Sequence, residues 1–239
     1  MAPLTTQRLC RRPAAGVFYG SSAYHPEGLT DRVLELEGVT MGTDATFTVA
    51  DLRLIEEDYR TLDELCAERG IDPAGVEAMI ATGLMPQPAY ILPDGRQMFP
   101  EDYFQLYDDA GSVDLMQGHF RDRFVEAARR AGLEFTDEWN PDSEWTDYVD
   151  GTYWVCLYNA TPEVMIEKER QIRAISEAMD APDLESGEWR ERLRTAVRAL
   201  DSIERPFTDF DRARWDYTSR ERYIAAVEKR WPEVFEPEM

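Results

Sequence analysis

The stretch TLDELCAERGIDPAGVEAMIATGLMPQPAYILPDGRQMF (61–99) constrains this chain more than any other, because helix and turn punctuation recurs in it at short, ordered intervals. Thr61 and Glu64 form a T-x-x-E capping box, in which each side chain satisfies a backbone N–H at a helix start. Leu62, Leu65 and Cys66 then share the inner face of that helix, and Gly70 ends it. Asp72 caps a second helix with Pro73 at its first position, and Val76, Met79 and Ile80 recur at i, i+3 and i+4. Gly83 stops this helix, and AYIL and RQMF flank Pro93-Asp94-Gly95, which is expected to close a hairpin wing. The flanks continue the pattern. TVADLRLIEEDY reads as a short helix with Leu52 and Ile55 on one side, and Pro100 is expected to open another through EDYFQLYDD.

Two short helices, a tight turn and a wing are the outline of a nucleic-acid reader, yet the charge is wrong for one. Residues 47–110 hold 14 acidic side chains against four arginines, Arg53, Arg60, Arg69 and Arg96, a balance of −10. The whole chain carries −22. Phosphate binding needs several Lys or Arg, and base readout needs Arg, Lys, Asn or Gln at base edges. The second helix, PAGVEAMIATG, offers only Glu77 as a long polar side chain. No nucleic-acid partner is therefore expected. The landmarks T-x-x-E-L, D-P, G-L-M-P and P-D-G-R resemble the winged helix-turn-helix of the mercury-resistance-regulator (MerR) type, over about a quarter of the chain. The resemblance implies that fold, with DNA binding lost and the module kept as a packing or interaction surface.

Residues 1–46 carry turn formers and little periodicity and read as a disordered extension, with Met41 as a second plausible start. After Gly111 four amphipathic helices are predicted. DLMQGHFRDRFVEAARRAG turns Leu115, Phe120, Phe124 and Ala127 or Ala128 inward, and TPEVMIEKERQIRAISEAM turns Val164, Ile172, Ile175 and Met179 inward. EWRERLRTAVRALDSIE is built on Trp189, Leu193, Val197 and Leu200, and TSRERYIAAVEKRWPEVF starts at a Thr218–Glu221 capping box. The expected fold is mainly α: a winged helix-turn-helix-like module with a β-hairpin wing (47–110), packed on an aromatic-rich helical domain (111–239).

The segment LEFTDEWNPDSEWTDYVDGTYWVCLYN (133–159) has seven carboxylates, no basic residue, and seven aromatic rings interleaved with them. Carboxylates and ring faces together hold an ammonium, and a carboxyl buried among rings is suited to proton transfer. Asp147, Asp150 and Glu144 are the acid–base candidates, and Trp145, Tyr148 and Trp154 the substrate platform. The same pattern also describes an ordinary amphipathic segment with its rings in the core and its acids in solvent. Residues 204–223, ERPFTDFDRARWDYTSRERY, read as irregular after Pro206. Arg212 and Arg214 there are candidates for a substrate carboxylate, the alternative being an arginine–aspartate network that ties a helix end to a domain interface.

Cys10, Cys66 and Cys156 are widely spaced and odd in number, which indicates neither disulfides nor zinc, and Cys66 reads as core. His119 reads as a helix residue before it reads as a base. Motifs for nucleotides, flavins or metals are absent from the sequence, so no cofactor is expected. No apolar run approaches the ~20 residues of a membrane span, and a reducing cytoplasm fits. The series T-x-D-E-L-C, P-E-D-Y-F, G-x-Y-x-V-C-L, R-P-F-x-x-D-F-D-R-A-R and R-W-P-E-V-F resembles a little-characterised family of bacterial natural-product biosynthesis proteins, over about 47–235. That resemblance implies a secondary-metabolism setting and no established site residues. Two functions are expected from these residues and that setting together. One is a cofactor-free enzyme that binds an amine-bearing aromatic intermediate and condenses or cyclises it by carboxylate acid–base chemistry. The other is a non-catalytic regulator or scaffold that binds a basic partner protein or an effector metabolite.

Overall fold

A computed structural model of the chain describes residues 46–215 and 218–236, and the protein is mainly helical. The expected extension, with Cys10, His25 and Met41, lies outside the described residues. The Thr48 hydroxyl accepts the Asp51 N–H and Asp51 returns a bond to Thr48 N–H, which opens α1 (Val49–Asp58). The chain then extends into β1 (Tyr59–Thr61), and Thr61 caps α2 (Leu62–Arg69) through the capping box with Glu64. Gly70, at φ 65°, turns the chain into α3 (Pro73–Ala81), capped by Asp72. β2 (Tyr90–Ile91) and β3 (Gln97–Pro100) close around the Pro93–Gly95 turn, where Gly95 N–H donates to Leu92 O at 2.9 Å. The sheet order is β1-β3-β2, all antiparallel.

Two boundaries depart from expectation. Tyr59 opens a strand rather than ending a helix, because β1 pairs with β3, some forty residues on in the chain. Pro100 ends β3 opposite Tyr59 and so cannot open a helix; α4 starts later (Gln105–Ala110).

The remaining helices are α5 (Val113–Ala131), α6 (Pro141–Val149), α7 (Thr152–Cys156), α8 (Pro162–Asp180), α9 (Gly187–Ile203) and α10 (Asp209–Arg214). A π-helical turn (Glu221–Ala225) then runs into α11 (Ala226–Arg230), and α12 (Pro232–Phe235) follows. The long α8 packs against both α5 and α9. On α5 the inward stripe is Met116, Phe120, Phe124, Ala127 and Ala128, while Leu115, expected inside, is 60% exposed. One residue is a 100° step on a helix, and the Phe120–Phe124 pair fixes the stripe through Met116 instead. The stretch after Pro206 is not irregular throughout: Thr208 and Asp211 form a capping box, which starts α10. The Thr218 hydroxyl accepts Glu221 N–H at 3.1 Å, as expected.

One apolar cluster runs through Ile55, Phe99, Tyr103, Phe120, Phe124, Tyr148 and Ile166, drawing on both sides of position 110. A second, between α8, α9 and the C-terminal turns, is built on Ile175, Trp189, Leu193, Leu200, Val227 and Trp231. Among the described residues no helix is long and apolar enough to cross a membrane.

The loop 84–89 is clamped to the α6–α7 turn. Gln87 N–H donates to Val149 O at 2.8 Å, and the Tyr103 hydroxyl to Pro86 O at 2.8 Å. Gly151 makes this approach possible: its φ is 79°, and a Cβ there would lie 2.9 Å from Gln87 O and 3.1 Å from Pro88 O. Gly151→Ala is expected to lower unfolding free energy by roughly 2–4 kcal/mol, from left-handed strain plus a backbone clash. Urea unfolding of the variant checks this, and an unchanged midpoint would show that the two segments are not clamped.

Candidate functional site

The acid and aromatic segment is sorted by helix geometry. The Asn140 side chain accepts the N–H groups of Asp142 and Ser143, so α6 begins at Pro141. Its period then buries Glu144 and Tyr148, half-buries Trp145 and Asp147, and leaves Asp150 in solvent as the C-cap. Glu144 accepts the hydroxyl of Tyr153 on α7. Burial first, then the Glu144 carboxylate, then Asp147, drive that hydroxyl far above the ordinary phenol range. Two of the three predicted carboxylates, Glu144 and Asp147, thus gather at Tyr153, and Asp150 stands apart.

Trp145, Tyr148 and Trp154 do come together: ring centroids are 5.6 Å apart for Trp145–Tyr148 and 5.0 Å for Tyr148–Trp154. Their neighbours are other protein rings. Phe120 packs on Trp145 and Tyr148, each at 5.4 Å, and Tyr103 on Trp154 at 6.0 Å. Tyr148 and Trp154 are 1% and 2% exposed, so both belong to the core.

Arg212 and Arg214 lie in an arginine–aspartate network. Arg212 is exposed and pairs with Asp209 (2.9 Å) and Glu221 (3.2 Å). Arg214 pairs with the wholly buried Asp211 at 2.7 Å and lies over the rings of Phe210 and Trp215. Asp211 also accepts the Tyr90 hydroxyl at 2.9 Å, which ties α10 to the small sheet. Next to it, Arg205 donates to Leu157 O and Asp58 and sits between the rings of Tyr59 and Tyr158. Glu204, wholly buried, meets Lys168 Nζ at 2.9 Å and accepts the Ser219 hydroxyl.

The structure adds a cleft where five helices meet beside the end of the sheet. Asp102, Gln105 and Leu106 come from the end of the sheet and α4, Arg123 from α5, Tyr148 and Trp154 from α6 and α7, and Ala160–Pro162 from the head of α8. It has room for about one water, about 10 Å³. Arg123 is fixed by two bonds to Glu163 (3.0 and 2.7 Å) and one to Asp109 (2.7 Å). The indole Nε1 of Trp154 is buried without a hydrogen-bond partner. Burial raises the Asp102 carboxyl above the usual range, opposed by Arg205 and by the N–H of Ala160. Tyr148 and Trp154 were legible as candidates, whereas Asp102 and Arg123 were not. The one trace of Asp102 in the sequence is its place in the P-E-D-Y-F motif.

On the outer side of α2 and α3, Asp63, Glu64, Glu68, Asp72 and Glu77 are exposed, together with Ala74, Ala78, Ala81, Ile71 and Leu84. Arg69 pairs with Asp108, Arg60 with Glu101 at 2.7 Å, and Arg96 with Glu56 at 2.6 Å and Asp94 at 2.7 Å. Burial, and then the Asp63, Asp72 and Glu77 carboxylates, push the Cys66 thiol upward. Among the described residues no group of three or more His, Cys, Asp or Glu is placed to hold a metal ion.

A family of unknown function (DUF6058) matches residues 116–232 of the chain. The similarity runs from α5 to the start of α12 and leaves α1–α4 outside it. No curated protein and no solved structure matches the chain.

The raised Asp102 carboxyl has a consequence for stability. Its folded value lies above the ordinary 3.8, so between the two values the native state holds more protons than the unfolded chain. Ionised Asp102 therefore costs stability above its folded value, and the cost fades as pH falls through that value toward about 4. Asp102→Asn, which keeps an acceptor for Ala160 N–H, is expected to be more stable than the parent near pH 7. Urea midpoints taken between about pH 7 and pH 4 should show the difference shrinking toward acid. A difference that stays constant would rule out burial of the charge as its cause.

Proposed function

We propose that this protein is a non-catalytic regulator or scaffold of a natural-product pathway. Its MerR-like helix-turn-helix module has exchanged nucleic acid for a basic protein partner. The observation that carries this is the outer face of α2–α3. The helix that would enter a DNA groove shows alanines, Glu77 and two flanking aliphatic side chains, Ile71 and Leu84, within a rim of carboxylates. Arg60, Arg69 and Arg96, the cations best placed to meet phosphate, are each held in an ion pair. Such a face repels a polyanion and fits an amphipathic segment with lysines or arginines around an apolar stripe.

The test uses two defined probes. A gel shift at ~50 mM salt, where phosphate contacts are strongest, is expected to show no retarded DNA. A synthetic amphipathic helix rich in arginine is expected to bind, with affinity falling about tenfold or more as salt rises toward ~0.3 M. Asp72→Lys with Glu77→Lys is expected to abolish binding. A sequence-selective DNA shift, or peptide binding indifferent to those two changes, would overturn the proposal.

The second function, a cofactor-free enzyme acting on an amine-bearing aromatic intermediate, draws support from the Glu144–Tyr153 pair. A buried carboxylate bonded to a phenol is a pair able to pass a proton. Glu144→Gln should then abolish condensation of an aromatic amine with an aldehyde while leaving binding intact. Retained turnover would discard the assignment.

A further inference from the structure

We propose that residues 8–19 of this chain, RLCRRPAAGVFY, occupy the α2–α3 face when no partner is bound, so that the protein covers its own docking surface. This rests on the reading of that face as a docking surface and adds its regulation. The face is an unpartnered helix surface. α3, PAGVEAMIA, is apolar around its whole circumference, with Glu77 as its one charge. A helix of that kind belongs in an interior. Here only Val76 and Ile80 are buried, and Ile71 and Leu84, just beyond its two ends, are 40% and 45% exposed.

Charge selects the occupant. Asp63, Asp72 and Glu77 all bear on the Cys66 thiol, so three exposed carboxylates gather around one point of the two helices. None of them enters an ion pair among the described residues, and Arg69 beside them is engaged by Asp108. A cover must therefore bring cations and an apolar group together. Residues 1–26 hold three arginines, Arg8, Arg11 and Arg12, and no acidic residue, within a chain of net charge −22. Val17, Phe18 and Tyr19 follow close behind them. Guanidinium forks suit the carboxylates, and a ring suits the small exposed side chains of Ala74 and Ala78 between Ile71 and Leu84. A second copy of α2–α3 would instead bring like charges together. The reach is sufficient. The stretch 13–46 separates Arg12 from Phe47, which stacks on Phe210 at 3.8 Å. A random coil of that length spans roughly 30–35 Å, while α1, which leads from there toward α2, is about 15 Å long. Tethering also sets a local concentration on the order of a millimolar, so a weak contact suffices to keep the face covered.

The test uses the full chain with a photoreactive benzoyl-phenylalanine in place of Phe18. Irradiation is expected to cross-link position 18 to residues 63–84 of the same molecule, as mapped by mass spectrometry of the digest. Changing Arg8, Arg11 and Arg12 together to Glu is expected to cut that yield about tenfold or more, as is Asp72→Lys with Glu77→Lys. Combining the two sets restores opposite charges and is expected to restore the cross-link. The arginine-rich helical peptide is then titrated into the full chain with and without the three arginine changes, and is expected to bind about tenfold tighter with them. Cross-links elsewhere, or between molecules rather than within one, would overturn the proposal. So would equal peptide affinity in the two proteins, which would leave the docking face itself standing. A peptide that binds neither protein while the charge-dependent cross-link forms would discard the external partner and uphold this contact.

Discussion

The structure turns on two adjacent buried charges, Glu204 and Arg205, where the chain leaves α9. Their backbone forms a short antiparallel bridge with the end of α7: Arg205 N–H donates to Cys156 O at 3.0 Å, and Tyr158 N–H to Ile203 O at 3.1 Å. From that anchor the side chains reach in opposite directions. Glu204 meets Lys168 of α8 and Ser219 at the start of the C-terminal helix, while Arg205 reaches Asp58 and Tyr59 in the N-terminal module. Removing charges from water costs several kcal/mol per ion, and only close partners and further hydrogen bonds recover it. The pairing is therefore selective: helices that failed to bring these partners together would leave uncompensated charge in the interior.

What Arg205 fixes reaches the cleft through one residue. Tyr59, held between the guanidinium and the ring of Tyr90, donates its hydroxyl to the backbone oxygen of Trp154 at 2.9 Å. This sets the position of α7 and of the indole that lines the cleft. On the other wall, Asp102 lies two residues past β3, whose last residue pairs with Tyr59 in the sheet. The two sides of the cleft are thus located by the same tyrosine, from opposite sides of position 110.

Charge is distributed with the same economy. The carboxylates of α2 and α3 remain outside, where water solvates them and where they set the field a partner would meet. Those of Glu204 and Asp211 lie inside, each with a cation or hydroxyl against it. Some arginines are drawn inward too: Arg205 and Arg214 lay their flat guanidinium groups over rings while bonding carboxylates, a combination lysine cannot offer. Other arginines stay at the surface, as Arg129 and Arg130 do beside Glu126.

Much of the local structure was written in the sequence. The capping box at Thr61, the Thr218 hydroxyl on Glu221 N–H, the Asp72–Pro73 start and the Pro93–Gly95 turn stand where they were expected, because caps and turns are decided by backbone groups within four residues of one another. The mainly helical class followed from the same signals. The tertiary structure alone decided which polar groups count. It made β1 a strand through a partner some forty residues away, and put Met116 rather than Leu115 inside. It also drew Tyr148 and Trp154 into the core and brought Asp102 and Arg123 beside them. Periodicity tells which face of an element is apolar; it carries no record of which distant side chain that face will meet. Burial and pairing with such a partner are what turn an ordinary aspartate or arginine into part of a site.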